Sequence, residues 1–215
     1  MTTRLPLSKT DSLLVNAGHG LKIMFGKAAA ARPSPAQAVP GEACLTAEQG
    51  QLAGALMRVN HVGEICAQAL YQSQALLTRD PELRAHFAAA AKEELDHLAW
   101  TQQRIDELGS HTSYLSPLWY GGAFAIGCLA GLGGDRISLG FVVETERQVE
   151  QHLATHLERL PPNDLRSRAI VAQMKEEEAR HAEEALAAGA QPLPAPIKGL
   201  MRLAARLMTR TAHHI

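Results

Sequence analysis

Aromatic residues are scarce in this chain: four Phe, two Trp and three Tyr among 215 positions. Strands draw heavily on aromatic and β-branched side chains, so an all-β fold is excluded, and the abundant alanine points to aliphatic cores built on helices. Cysteine is nearly as sparse. Cys44, Cys66 and Cys128 form no Cys-x-x-Cys and leave one residue over from any pairing, which excludes a disulfide framework and a thiolate zinc site and fits a reducing compartment. Charge of one sign is lacking too. With 21 Lys and Arg against 22 Asp and Glu the net charge is −1, which excludes nucleic-acid binding through overall positive charge. The N-terminus has no apolar run followed by small residues, so no secretory signal is expected and the protein is placed on the cytosolic side.

A long apolar run is missing as well. Residues 112–134 hold no charge over 23 positions, but six glycines and Pro117 interrupt them. The solid part, Leu118 to Leu132, is short of the roughly 20 residues that span a bilayer. With Trp119 and Tyr120 inside it, the segment reads as an interfacial hydrophobic element.

What is present is uneven charge and helical periodicity. Residues 1–41 carry five basic side chains and one acidic, and residues 185–215 carry four basic and none acidic, leaving 12 basic and 21 acidic in residues 42–184. An acidic middle asks for cations and basic ends ask for an anionic surface. Ser8, with Asp11 three residues on, opens a short amphipathic helix whose apolar positions are Leu13, Leu14, Ala17, Leu21, Met24 and Phe25. A Pro- and Ala-rich linker follows Gly26. Four long helices are then predicted, over about 46–78, 81–109, 135–160 and 163–189, with Pro81 and Pro161-Pro162 as boundaries. A last helix over 197–210 sets Lys198, Arg202, Arg206 and Arg210 four apart, beside an apolar side of Ile197, Leu200, Met201, Ala204, Leu207 and Met208, a stripe suited to anionic headgroups. The chain is long enough for one main core. It divides into an N-terminal helix and linker (1–45), a four-helix bundle (46–190) and a basic C-terminal helix (191–215).

The second and fourth long helices each carry Glu-x-x-His, as Glu94/His97 and Glu178/His181. Three residues of helix leave two side chains about 60° apart around the axis, so a carboxylate and an imidazole can reach one ion. About 0.7 such pairs are expected by chance from sixteen Glu and ten His in 215 positions, so the motif alone is weak. The arrangement is stronger. Glu64 precedes the first pair by 30 residues and Glu146 precedes the second by 32, as if one helical hairpin were used twice. Docking the hairpins would gather four carboxylates and two imidazoles, the ligand set of a ferritin-like di-iron or di-manganese site. Two divalent ions would neutralise the four carboxylates, and the oxygen and nitrogen donors suit iron or manganese. Gly63, beside Glu64, costs about 1 kcal/mol relative to alanine in a helix and could open space there. His61, His152 and His156 are alternative ligands, ranked beside the cluster or at the surface, with His152 best placed next to it.

The residues resemble the di-iron demethoxyubiquinone hydroxylases of ubiquinone biosynthesis. The resemblance runs from about Leu56 to the C-terminus, through Asn-His-Val-Gly-Glu at 60–64, Glu-Leu-Asp-His at 94–97, Pro-Leu-Trp at 117–119, Val-Glu-Thr-Glu at 143–146 and Glu-Ala-Arg-His at 178–181. It implies Glu64, Glu94, His97, Glu146, Glu178 and His181 as ligands of two iron ions. Glu146 is preferred to Glu144 for its distance from Pro-Leu-Trp. Glu176 and Glu177 are set aside because Glu178 alone keeps the Glu-x-x-His spacing. The fold implied is an all-α, ferritin-like bundle with membrane-associating helices at both ends. The activity implied is hydroxylation of a polyprenylated demethoxyubiquinol ring, with O2 and an external two-electron source, at the cytoplasmic face of the cell membrane. Such a peripheral enzyme leaves room for a reductase or other ubiquinone-biosynthesis proteins as partners, and for an oligomer. No nucleotide-binding fingerprint selects the electron donor. The competing classes are a ferritin-like iron oxidase or peroxide scavenger, and a non-enzymatic membrane-bound bundle.

Overall fold

The computed structural model describes residues 9–41 and 44–215, and no strand occurs among them. The α-helices are α1 (Lys9–Phe25), α2 (Ala47–Leu77), α3 (Pro81–Glu107), α4 (Ser116–Leu132), α5 (Asp135–Arg159), α6 (Leu165–Ala187) and α7 (Ala195–His214), with a 3₁₀ turn at Pro35–Ala38. Ser8, the expected first cap, lies outside the described residues. Local chemistry sets the other boundaries. Thr46 and Gln49 form a capping box at the start of α2, and the carboxylates of Asp80 and Asp164 accept backbone N–H bonds at the starts of α3 and α6. Gly109 and Gly189, with φ of 63° and 100°, follow α3 and α6 in the left-handed conformation that glycine adopts without strain.

Helices α2, α3, α5 and α6 form the bundle, whose apolar side chains gather in two plugs. One holds Leu56, Met57, Trp100, Ile105, Leu153, Ile170 and Met174. The other holds Tyr71, Leu83, Phe87, Leu139, Val142 and Ala185. Their order along the chain gives the topology. α2 runs from the first plug to the second, α3 returns, α5 again runs from second to first and α6 returns. The connection from α3 to α5 must therefore travel the length of the bundle, the single long crossover of ferritin-like folds. The uncharged segment does this as α4, lying along α2. Gly127 permits the approach, because a Cβ there would stand 2.0 Å from Ser73 Oγ and 3.1 Å from the Leu70 carbonyl oxygen.

An outer layer of α1, α4 and α7 covers the far side of α2. Ile23 of α1 packs with Ile65, Ala69, Tyr120 and Ala123, and Ala212 of α7 packs with Val59 and Val62. The buried Arg58 guanidinium donates to the carbonyl oxygens of His111 (2.7 Å) and His213 (3.1 Å) and to Ser110 Oγ (3.0 Å), pinning the end of α7 to the α3–α4 loop. The basic stripe of α7 is not turned wholly outward as its sequence suggested. Lys198 and Arg202 lie 3.0 and 3.6 Å from Glu144 on α5, while Leu200, Leu203 and Leu207 stay exposed. On α1, likewise, Leu14, Leu21 and Phe25 are exposed while Ile23 is buried. No helix among the described residues is long and apolar enough to cross a membrane.

The segment after α1 is more than a tether. Its Ala36 joins the first plug, the Ala31 N–H donates to Asp96 Oδ1 (2.6 Å), and Trp100 Nε1 donates to the Arg32 carbonyl oxygen (3.3 Å).

Candidate metal centre

Between the two plugs the bundle interior turns polar. Glu64 on α2, Glu94 and His97 on α3, Glu146 on α5, and Glu178 and His181 on α6 are all buried and all point to one centre. They form two overlapping groups, Glu64, Glu94, His97 and Glu178 in one and Glu94, Glu146, Glu178 and His181 in the other, each with its donor atoms within 4.8 Å of one another. Glu94 and Glu178 belong to both. The six residues selected by spacing are thus brought together, and the two Glu-x-x-His glutamates lie where the groups meet.

The electrostatics are those of a cavity made for positive charge. Burial pushes the Glu64 and Glu146 carboxyls well above the usual range, and the surrounding carboxylates add to it. Burial opposes ionisation of His97 and His181 as well, yet the facing carboxylates win. His97 is raised well above its ordinary value and His181 to about 11. Glu94, between the two imidazoles, is held well below the usual carboxylate range against its own burial. Atoms at the centre remain unsatisfied. Glu64 Oε2 and Glu178 Oε2 are buried and have no hydrogen-bond partner, and His181 Nδ1 and Glu94 Oε1 lie 3.0 Å apart without hydrogen-bond geometry. Buried polar atoms are rarely left so, and a donor set of carboxylate oxygens and imidazole nitrogens fits one or two divalent ions.

Residues around the six hold them in place, and several escaped the sequence reading. Tyr71 Oη donates to Glu146 Oε1 at 2.6 Å. Glu177, set aside as a ligand, accepts from Nε2 of His97 at 2.6 Å, which leaves Nδ1 of that ring on the cluster side, 2.8 Å from Glu94 Oε2. Glu93 lies 3.3 Å from Nε2 of His181 in the same manner. The one available signal was the doubled Glu-Glu-x-x-His, Glu93-Glu94 and Glu177-Glu178, whose leading carboxylate reaches the imidazole of the opposite helix. Histidines proposed as alternatives stand elsewhere. His61 and His156 are buried rather than at the surface, and burial lowers them to about 4 and about 2. The His152 ring packs on His156 at 4.0 Å, and no hydrogen bond joins it to the six. Glu144 faces Lys198 and Arg202 instead of the centre. All three cysteines are free thiols.

Comparison with known proteins places the chain in a family. The family described as "Ubiquinone biosynthesis protein COQ7" matches residues 51–212, a span that holds the bundle and α7 except for the first four residues of α2 and the last two of α7. The chain belongs to this family. A relative from Polaromonas sp. (strain JS666 / ATCC BAA-500) named "3-demethoxyubiquinol 3-hydroxylase" is 62% identical over 206 residues, covering 95% of this chain and 98% of its own. Relatives of the same name from Verminephrobacter eiseniae and Polaromonas naphthalenivorans are each 60% identical, over 209 and 217 residues, and cover 97% and 100% of this chain. The similarity to the last includes residues 1–45, outside the motifs that carried the sequence resemblance. The matched span contains all six residues of the centre.

Proposed function

We propose that this chain is a 3-demethoxyubiquinol 3-hydroxylase that uses a pair of iron ions, O2 and an external two-electron source. The observation that carries the reading is the convergence of four buried carboxylates and two imidazoles into two groups that share Glu94 and Glu178. Glu64 and His97 would complete one ion's set, and Glu146 and His181 the other's. Bound there, the iron pair supplies two-electron activation of O2, one atom of which replaces a ring hydrogen as hydroxyl while the other leaves as water.

The chain's own groups prepare that chemistry. The two apolar plugs exclude water above and below the centre, which strengthens electrostatic interactions inside it. Tyr71 holds Glu146, and Glu177 and Glu93 hold the imidazole nitrogens that face away from the cluster. At Gly63, next to Glu64, no atom beyond the neighbouring turns of its own helix lies within 4 Å of where a Cβ would stand, so the packing leaves room there.

The substrate's polyprenyl tail belongs to a bilayer, and the outer layer supports a peripheral position on one. Leu14, Leu21 and Phe25 of α1, Leu118, Leu129 and Leu132 of α4, and Leu200, Leu203 and Leu207 of α7 are exposed on helices too short or too charged to span. Arg206 and Arg210 flank the apolar side of α7 and suit the anionic cytoplasmic leaflet.

The test is mass spectrometry of a short-tailed demethoxyubiquinol incubated with iron-loaded protein, a reductant and isotopically labelled O2. One labelled oxygen in the ring is the expected result. Consumption of O2 with an unchanged ring would reassign the protein to a ferritin-like oxidase.

A further inference from the structure

The two halves of the centre are built alike but held unequally. In the half containing His97, Glu177 receives the ring Nε2 at 2.6 Å and is itself gripped by Arg32, Nη1 to Oε1 at 2.6 Å and Nη2 to Oε2 at 2.9 Å, and by Gln173 Nε2 at 2.7 Å. Arg32 is fixed in turn. Its Nε donates to Asp96 Oδ2 at 2.6 Å, and its guanidinium lies over the Trp100 ring at 4.9 Å. The Glu177 side chain is 6% exposed. In the half containing His181, Glu93 stands 3.3 Å from Nε2, is 36% exposed, and is met by Arg180, a side chain 43% exposed whose other partner is Glu184 on the surface.

From this difference we infer that Arg32 is a positioning residue for the metal centre: through Glu177 it locks the His97 imidazole and makes the ion position at His97 the tighter of the two. The inference rests on the two-ion reading above. A carboxylate that accepts the outer N–H of a ligating imidazole fixes the ring and raises its basicity, and loss of such a partner typically weakens metal binding about 10- to 100-fold. A forked guanidinium bonded to both oxygens removes the rotational freedom of that carboxylate. Glu93 has no equivalent grip, because Arg180 reaches only its Oε2, the same oxygen that faces His181, and leaves the other oxygen unheld. The clamp comes from the segment joining α1 to the bundle, which gives that segment a duty toward a centre whose ligands all lie in the bundle.

The experiment uses the full-length, metal-stripped chain, titrated anaerobically with 57Fe(II) and read by calorimetry and Mössbauer spectroscopy, with helix content checked by circular dichroism. Wild type is expected to bind in two steps, the first equivalent giving mainly one ferrous doublet. Arg32→Ala should weaken the tighter step about tenfold or more and spread the first equivalent over both doublets, and Arg32→Lys, which keeps charge but not the fork, should follow it. Arg180→Ala should leave the tighter step within about twofold. Should Arg32→Ala not fold, Glu177→Gln, which removes the charge that Arg32 grips, reads the same step. A folded Arg32→Ala or Glu177→Gln with an unchanged tighter step would overturn the clamp. Two equal sites in wild type would overturn the inequivalence while leaving a two-ion centre, and no stoichiometric iron in wild type would overturn both.

Discussion

The Tyr71 hydroxyl, carried by α2, donates to Oε1 of Glu146 on α5 at 2.6 Å, inside a buried interface between the two hairpins. Removing that hydroxyl leaves a buried carboxyl oxygen without its donor. Tyr71→Phe is expected to lower the stability of the metal-free protein by about 1–3 kcal/mol in urea denaturation and to keep the helix content. A midpoint and slope equal to wild type would show that the bond contributes nothing net.

Sharing within the cluster predicts unequal losses. Glu178 belongs to both groups, so Glu178→Ala should leave a folded chain that retains no stoichiometric iron and no hydroxylase activity. Glu64 belongs to one, so Glu64→Ala should retain close to one ion per chain. Inductively coupled plasma mass spectrometry of the purified variants measures both. Two ions per chain in Glu178→Ala would refute the ligand set.

Acid should oppose loading. Glu64 and Glu146 are raised, so they hold protons to higher pH than ordinary carboxyls, and His97 and His181 are raised, so they hold theirs more tightly than ordinary imidazoles. A divalent ion needs all four deprotonated, hence binding releases protons and weakens as pH falls. Calorimetric titration in buffers of different ionisation enthalpy should report more than one proton released per chain. Affinity that is flat between about pH 6 and 8 would contradict this charge balance.

Leu200, Leu203 and Leu207 are 67%, 63% and 64% exposed, so charging them should leave the bundle intact. The triple Asp variant is expected to keep its melting temperature and to lose flotation with vesicles containing anionic lipid. Flotation equal to wild type would move membrane attachment away from α7.

Two glycines separate openness from close contact. Beyond the neighbouring turns of its own helix, a Cβ at Gly63 meets nothing within 4 Å, whereas one at Gly140 would stand 2.0 Å from the Gln191 carbonyl oxygen. Gly63→Ala should therefore stabilise by up to about 1 kcal/mol through helix propensity. Gly140→Ala should destabilise by more than about 1 kcal/mol by forcing the backbone before α7 away from α5. Thermal melts of the two variants give the signs.

The sequence made the helices and the six converging residues legible because apolar positions recur every three to four residues, Glu stands three before His on two helices, and Glu64 and Glu146 precede those pairs by nearly equal lengths of chain. What surrounds the six was not legible for the same reason. Glu177 meets His97 across 80 residues and Glu93 meets His181 across 88, distances at which helical spacing carries no information. Arg32 sits in a segment whose Pro and Ala content reads as a linker, and only the packed structure shows its guanidinium between Asp96 and Glu177. The orientation of α7 was ambiguous in another way. Its apolar and basic sides are both evident, but which of them meets the bundle depends on Glu144, a residue the motifs had offered as a ligand.

The crossed support of the imidazoles has a bearing on origins. Each hairpin brings one lone glutamate, one shared glutamate, one histidine, and one outer carboxylate that serves the other hairpin's histidine. No hairpin alone completes an ion's set. Two copies of a single ancestral hairpin, docked about a two-fold axis, would have presented the same self-complementary surface and the same four carboxylates. Duplication and fusion of one short gene is therefore a sufficient route to this centre, and the clamp at Arg32 is where the present chain departs from that symmetry.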